Sequence, residues 1–404
     1  MVKTDRGWVL PFAAAVAGMM SLQMSSLGFS PLIPAIQKAF GMNFSQVGLF
    51  TGMYGLVALV ISLPAGMAAK RFGEKTVMLC GMAGIVLGLV ALSQAQTFAQ
   101  AFLARGLWLT GYRFAFVCVL TAVAITCPPR LKGRSMGVVG AVSSLASVVG
   151  APFGSTIGQA FGWRQGILGF ALATIVGASF VKMFYRSSGA SNGHVGHGFA
   201  RGAAVADGTG ASAFRTPIVW ALTLLGGVVG LGQFSTTFFV PSAAKSIYGL
   251  DATGAAFIIS TGYTLAIVVN LLVGWLMDRF DRWLVLATVI ALMIPASLAM
   301  TTGSLLLFRV GTAMLLALGF TSTNQVYGVA GSVLSGREAG NVMGVVSLGA
   351  GIFGYVGPQM LGSLRDRTGT FNAGWYFVTG VALFTLVEVL WLRGYSRGAR
   401  PDHP

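Results

Sequence analysis

Four charged side chains stand well inside long apolar stretches of this 404-residue chain: Arg105, Arg113, Arg309 and Glu388. Ionisable groups are expensive in a hydrocarbon medium and mark functional positions there. A guanidinium stays protonated, and its planar fork matches a carboxylate. Arg105 and Arg113 are eight residues apart, about 80° around a 3.6-residue helix, so both can face one cavity. Arg113, the deepest of the three, is assigned to ligand contact. For Arg105 and Arg309 a structural role stands beside the ligand role. Glu388 is read as an edge carboxylate that reaches water or pairs with Arg393, about one turn further on. A cavity of fixed positive charge with no acid in it repels a cation and is neutralised by an anion. Small organic anions, carboxylates first, are the expected cargo. Gln23, Tyr54, Tyr112, Gln233, Tyr263 and Asn270 would orient such a ligand, helix-to-helix hydrogen bonding being the alternative for each.

The elements that hold these residues follow from composition. Hydrophobic residues make up 55% of the chain and charged residues 9%, where a soluble domain carries about 25% charged. With 57 glycines as well, this describes helices packed in lipid and excludes a soluble enzyme, a disulfide scaffold and a disordered chain. Apolar runs predict twelve membrane spans, at about 8–30, 45–69, 76–95, 98–126, 135–160, 164–185, 216–243, 253–277, 283–302, 304–330, 339–363 and 372–393. The fold class is all-α, with two pseudo-symmetric six-helix halves. With the N-terminus inside, eighteen Lys and Arg fall on the cytoplasmic side and five outside, so both termini are expected in the cytoplasm. The net charge of +16 is thereby a topology signal, with no need for nucleic acid. Residues 187–215, rich in Gly, Ser and Ala, read as a flexible cytoplasmic linker between an N-terminal half (1–186) and a C-terminal half (216–393), before a tail at 394–404.

An internal repeat supports the two halves. A shift of 208 lays Gly41–Lys75 on Gly249–Trp283, bringing Gly66, Arg71 and Phe72 onto Gly274, Arg279 and Phe280. A shift of 204 places Arg105 on Arg309, and one of 203 places Gly133, Arg134 and Gly137 on Gly336, Arg337 and Gly340. Parallel six-span repeats with a midplane site between them are a transporter architecture.

GMAAKRFGEK (66–75) and GWLMDRFDRW (274–283), each between the second and third spans of its half, resemble the loop signature of the major facilitator superfamily. FLARGLWLTG (102–111) and GAPFGSTIGQAFGWR (150–164) resemble that family's fourth- and fifth-span patterns. The resemblance implies alternating access, with Gly66, Lys70, Arg71, Gly274, Asp278 and Arg279 bracing a cytoplasmic gate. Lys70 replaces the expected acid in the first half, where Glu74 is the candidate substitute, and Asp281 replaces a loop glycine.

Gly150, Gly154 and Gly158, like Gly340 and Gly344, repeat every four residues, fitting either tight packing or a sliding interface. Cys80, Cys118 and Cys127 show no paired spacing, and His194, His197 and His403 lie outside the spans. No metal or other cofactor is expected, and no Walker loop appears. The reading is a multi-pass, monomeric carrier among lipids of a bacterial inner membrane. It moves a small organic anion by uniport, symport or antiport and is not an enzyme. Efflux of amphipathic drugs or metabolites is the alternative.

Overall fold

A computed structural model describes residues 8–126, 132–185, 217–333 and 339–398. Among them are thirteen α-helices and one 3-10 turn, and no strand. They run α1 (Val9–Gly28), the turn Ser30–Leu32, α2 (Ile33–Phe40), α3 (Phe44–Phe72), α4 (Glu74–Gln94), α5 (Phe98–Thr126), α6 (Lys132–Phe161) and α7 (Trp163–Phe184). The remainder are α8 (Pro217–Tyr248), α9 (Ala252–Arg279), α10 (Arg282–Ala299), α11 (Leu305–Val333), α12 (Ala339–Thr368) and α13 (Asn372–Gly398). The linker at 187–215 with His194 and His197, and His403 in the tail, lie outside the described residues, as do Cys127 and the side chains around Gly340 and Gly344.

Helices are the form in which an apolar chain can cross lipid, because each satisfies its own backbone N–H and C=O groups. Eleven spans among the described residues are long and apolar enough to cross a membrane, with α1 and α2 counted as one, Val9–Phe40. The expected eleventh span is present as the 30-residue helix α12, part of whose side chains lies outside the described residues.

Tight turns join the helices. Gly41 (φ 61°) and Gly249 (φ 66°) end α2 and α8 in left-handed conformation, at matching positions of the 208-residue shift. Side chains rarely adopt that region, so glycine is favoured at both.

The chain gathers into two compact units. Unit 1 comprises Met1–Gly41, Val57–Ala203 and Asp251–Ser260, and unit 2 comprises Met42–Leu56, Ala204–Leu250 and Thr261–Pro404. Each therefore includes a short stretch from the other sequence repeat, which the expected boundaries do not contain. Within unit 1, α4 packs on α5 and α7, and α1 packs on α5, α6 and α7. Within unit 2, α8 packs on α11, α12 and α13, and α10 on α11 and α13. The stripe on α6 belongs to close packing inside unit 1. A Cβ on Gly28 of α1 would lie 2.7 Å from the Gly150 carbonyl carbon, Gly154 faces the Phe170 ring, and Gly158 faces Leu32.

Candidate functional site

In unit 1 the candidate groups lie on α1 and α5. Tyr112, fully buried, donates its hydroxyl to Gln23 Oε1 at 2.5 Å, joining the two helices. Arg113 is half-buried. Its guanidinium carbon lies 5.8 Å from the Tyr112 ring and 5.9 Å from Phe116, at the outer limit of cation–π attraction. The two rings are stacked at 5.5 Å.

Arg105 has different surroundings. It is fully buried, with its guanidinium 4.1 Å from the Phe29 ring and 4.0 Å from Trp108. Phe29 and Trp108 meet edge-to-face at 5.2 Å. A cation between two aromatic faces in a dry setting is favoured by about 2 kcal/mol or more for such a contact. Arg309, its counterpart in the repeat, is exposed on α11 among exposed Leu306, Leu307 and Val310. Equal position in the repeat has not given the two arginines equal environments, because neighbouring helices supply different partners.

In unit 2, α8 and its neighbours carry a polar chain. Thr323 of α11 donates to Gln233 Oε1 at 3.1 Å, and Thr237 and Tyr263 share a hydrogen bond of 3.0 Å. Gln233 is buried and Tyr263 fully so. Tyr54 packs its ring on Phe234 at 4.9 Å, and Asn270 donates to the Ala266 carbonyl of its own helix at 2.9 Å.

The loop signatures end α3 and α9, with Gly66 and Gly274 half-buried and Lys70, Arg71, Asp278 and Arg279 exposed. Arg71 lies over Phe72 at 5.2 Å and Arg279 over Trp275 at 4.3 Å. The observed ties lie a few residues later. Asp281 caps α10 by accepting from Trp283 N–H at 3.0 Å and pairs with Arg393 Nε at 2.9 Å. In unit 1, the hydroxyl of Tyr185 donates to Glu74 at 3.2 Å, and Lys75 Nζ donates to the Lys182 carbonyl at 3.0 Å. Each unit thus ties the start of its third long helix to the end of its sixth. An acidic residue just before a helix was a readable cap signal for Asp281; its distant cation was not.

The expected pairing of Glu388 with Arg393 is corrected here. Five residues on a helix turn about 140°, so the two side chains diverge, and Arg393 goes to Asp281 instead. Nor does Glu388 reach water, being only 9% exposed.

Two further clasps were not foreseen. Asp366, near the end of α12, accepts from Phe44 N–H (3.0 Å), Ser45 N–H (2.7 Å) and Ser45 Oγ (2.6 Å), capping α3 in unit 2. In unit 1, Gln159 of α6 donates to Asp251 at 2.7 Å, while Asp251 caps α9 through Gly254 N–H at 2.7 Å. Partial burial raises the Asp366 carboxyl, but its bonds to Ser45 and Phe44 and the neighbouring Arg365 together outweigh that and hold it below the ordinary carboxylate range. A depressed folded value gives stability that is complete above the unfolded value, about 3.9, and is lost as pH falls through the folded one. Asp366→Ala is therefore expected to lower the melting temperature by about 1–3 °C at pH 7. The gap to wild type should be full above about pH 4 and narrow as the pH falls below it. A gap that stays constant as the pH is lowered through the acid range in a fluorescence melt would contradict this account of the cap.

Comparison with known proteins places this geometry. The sequence profile described as the Major Facilitator Superfamily matches residues 14–358. The chain is 24% identical to a protein named probable sulfoacetate transporter SauU, from Cupriavidus necator, over 91% of this chain and 90% of that one. It is 23% identical to a putative tartrate transporter of Agrobacterium vitis, over 95% and 89%. In fold it is similar to a bacterial homolog of the human lysosomal transporter Spinster in an inward-facing and occupied conformation. That match has a TM-score of 0.75 at 16% identity and covers 98% of this chain and 96% of that one. The nucleoside transporter NupG gives 0.76 at 12% identity, covering 95% and 99%. The chain belongs to the Major Facilitator Superfamily and is a multi-pass membrane transporter rather than an enzyme.

Proposed function

We propose that this transporter moves small organic anions of the carboxylate class by alternating access, with both termini in the cytoplasm of a bacterial cell. The observation that carries the reading is the half-buried Arg113 guanidinium within α5, adjoining the Tyr112–Gln23 hydrogen bond. A permanent cation there favours a negative passenger, and its fork suits a carboxylate or sulfonate. The relatives support the class: one is named for sulfoacetate and another for tartrate, and each of those ions carries two acidic groups. Arg113, Tyr112 and Gln23 are the proposed contacts in unit 1. Gln233, Tyr263, Tyr54 and Asn270 are retained as candidates in unit 2. Arg105 acts structurally, its charge buried between rings from α5 and the segment after α1. Arg309 is exposed on α11 and is the weakest of the three arginines as a ligand contact.

Purified protein in proteoliposomes should take up labelled sulfoacetate, tartrate or succinate saturably, and unlabelled anions of the same class should compete. Export of hydrophobic cations without any anion uptake would instead favour the efflux reading. Dependence of the uptake on a pH gradient, or on anion loaded on the opposite side, would distinguish symport from exchange.

A further inference from the structure

Unit 2 carries a second feature that anion transport does not use. Between α8 and α13 lies a groove of about 410 Å³ lined by Trp220, Ala221, Leu224, Phe384, Val387, Glu388 and Trp391. The α8 residues fall at i, i+1 and i+4 and the α13 residues at i, i+3, i+4 and i+7, so each helix offers one face. Its volume lies within the range of about 300–1,000 Å³ usual for small-molecule sites. The walls are apolar and outward-facing: Trp220 is 52% exposed, Phe384 54%, Val387 67% and Trp391 55%. In a membrane these side chains meet lipid. Trp391 is buttressed by a stacked Tyr395 at 5.7 Å.

Glu388 is the one ionisable side chain in this lining among the described residues. It is more than nine-tenths buried, and neither carboxylate oxygen has a hydrogen-bond partner among the described residues. Its neighbour on the helix, Arg393, is held by Asp281. A buried carboxylate without a donor is strongly disfavoured as an ion unless a positive charge completes it. The flanking indoles add attraction for a cation whose charge is diffuse, since their faces are negative. An anion meets repulsion at the carboxylate, and a neutral amphiphile without a hydrogen-bond donor leaves it unsatisfied.

We infer that the α8–α13 groove is a membrane-facing binding site for amphipathic organic cations, with the positive centre against Glu388 and the apolar body against Trp220, Phe384 and Trp391. The site shares no residue with the Arg113 cluster and is independent of the anion reading. The probe is labelled tetraphenylphosphonium, added to the full chain in a neutral maltoside detergent. One saturable site per chain is expected. Glu388→Gln should weaken it by about tenfold or more, the scale on which loss of one buried charge partner acts, and alkyl sulfates should not compete. Leu224→Trp, which fills the groove and leaves the carboxylate in place, should abolish the binding. It serves as the test should Glu388→Gln fail to give monodisperse protein. Anion uptake by Glu388→Gln should stay within about twofold of wild type, which separates failure here from failure of the anion reading. The absence of saturable binding to wild type, unchanged affinity in Glu388→Gln, or retained binding in Leu224→Trp would each overturn the proposal.

Discussion

Replacing Arg113 by glutamine is expected to reduce uptake of sulfoacetate or tartrate about 30-fold to several thousand-fold. Truncating one member of a desolvated charge pair costs about 2–5 kcal/mol, and about 1.4 kcal/mol is a factor of ten. Glutamine keeps much of the length and some hydrogen-bonding capacity, so the loss reports the charge. Lysine restores the charge without the planar fork and should recover only part of the activity. Tyr112→Phe removes the hydroxyl bonded to Gln23 and serves as the milder neighbour, with an expected loss of about tenfold or less, as for one buried hydrogen bond. Each variant should elute as monodisperse protein with a melting temperature near wild type. If Arg113→Gln transports the anions as well as wild type, Arg113 does not hold the cargo.

The second large effect concerns a place where two backbones nearly touch. In unit 2, a Cβ on Gly55 of α3 would collide with the Gly351 carbonyl and the Tyr355 amide and lie 2.7 Å from the Gly354 carbonyl carbon. One turn earlier, a Cβ on Gly52 would lie 2.7 Å from the Tyr355 carbonyl oxygen. Small residues allow such an approach between helices in lipid, where packing replaces the hydrophobic drive. Backbone cannot swing aside as a side chain can, so Gly55→Val should cost at least the 1–3 kcal/mol, roughly, of an overpacked core. The expected result is loss of most monodisperse protein after solubilisation, or a melting temperature lower by several degrees. Gly380→Ala is the control, because nothing lies within 4 Å of its added Cβ. Normal folding and transport by Gly55→Val would show that α3 and α12 tolerate separation.

How much of this was readable in the sequence depends on how local each feature is. The helices were, because apolar runs broken by charge and glycine mark segments that lipid must accept as helix. Gly41 and Gly249 were aligned by the repeat, and both prove to be left-handed turns. The partners of the charged groups were not. Arg105 lies between Trp108, one turn along its own helix, and Phe29, far away in sequence. The first neighbour could have been suspected from spacing; the second required α1 to be placed. Asp281 and Arg393 are 112 residues apart, and Asp366 reaches Ser45 across 321. Hydrophobic period and composition say which medium a helix meets, and they are silent on which distant polar group closes a turn.

The composition of the two compact units bears on how this gene could have been built and can be cut. Asp251–Ser260 groups with residues of the first repeat and Met42–Leu56 with those of the second, so severing the chain in its glycine-rich middle would leave each fragment missing a strip that completes its packing. Neither fragment is expected to fold by itself. A split version is therefore expected to need both fragments produced together before it transports.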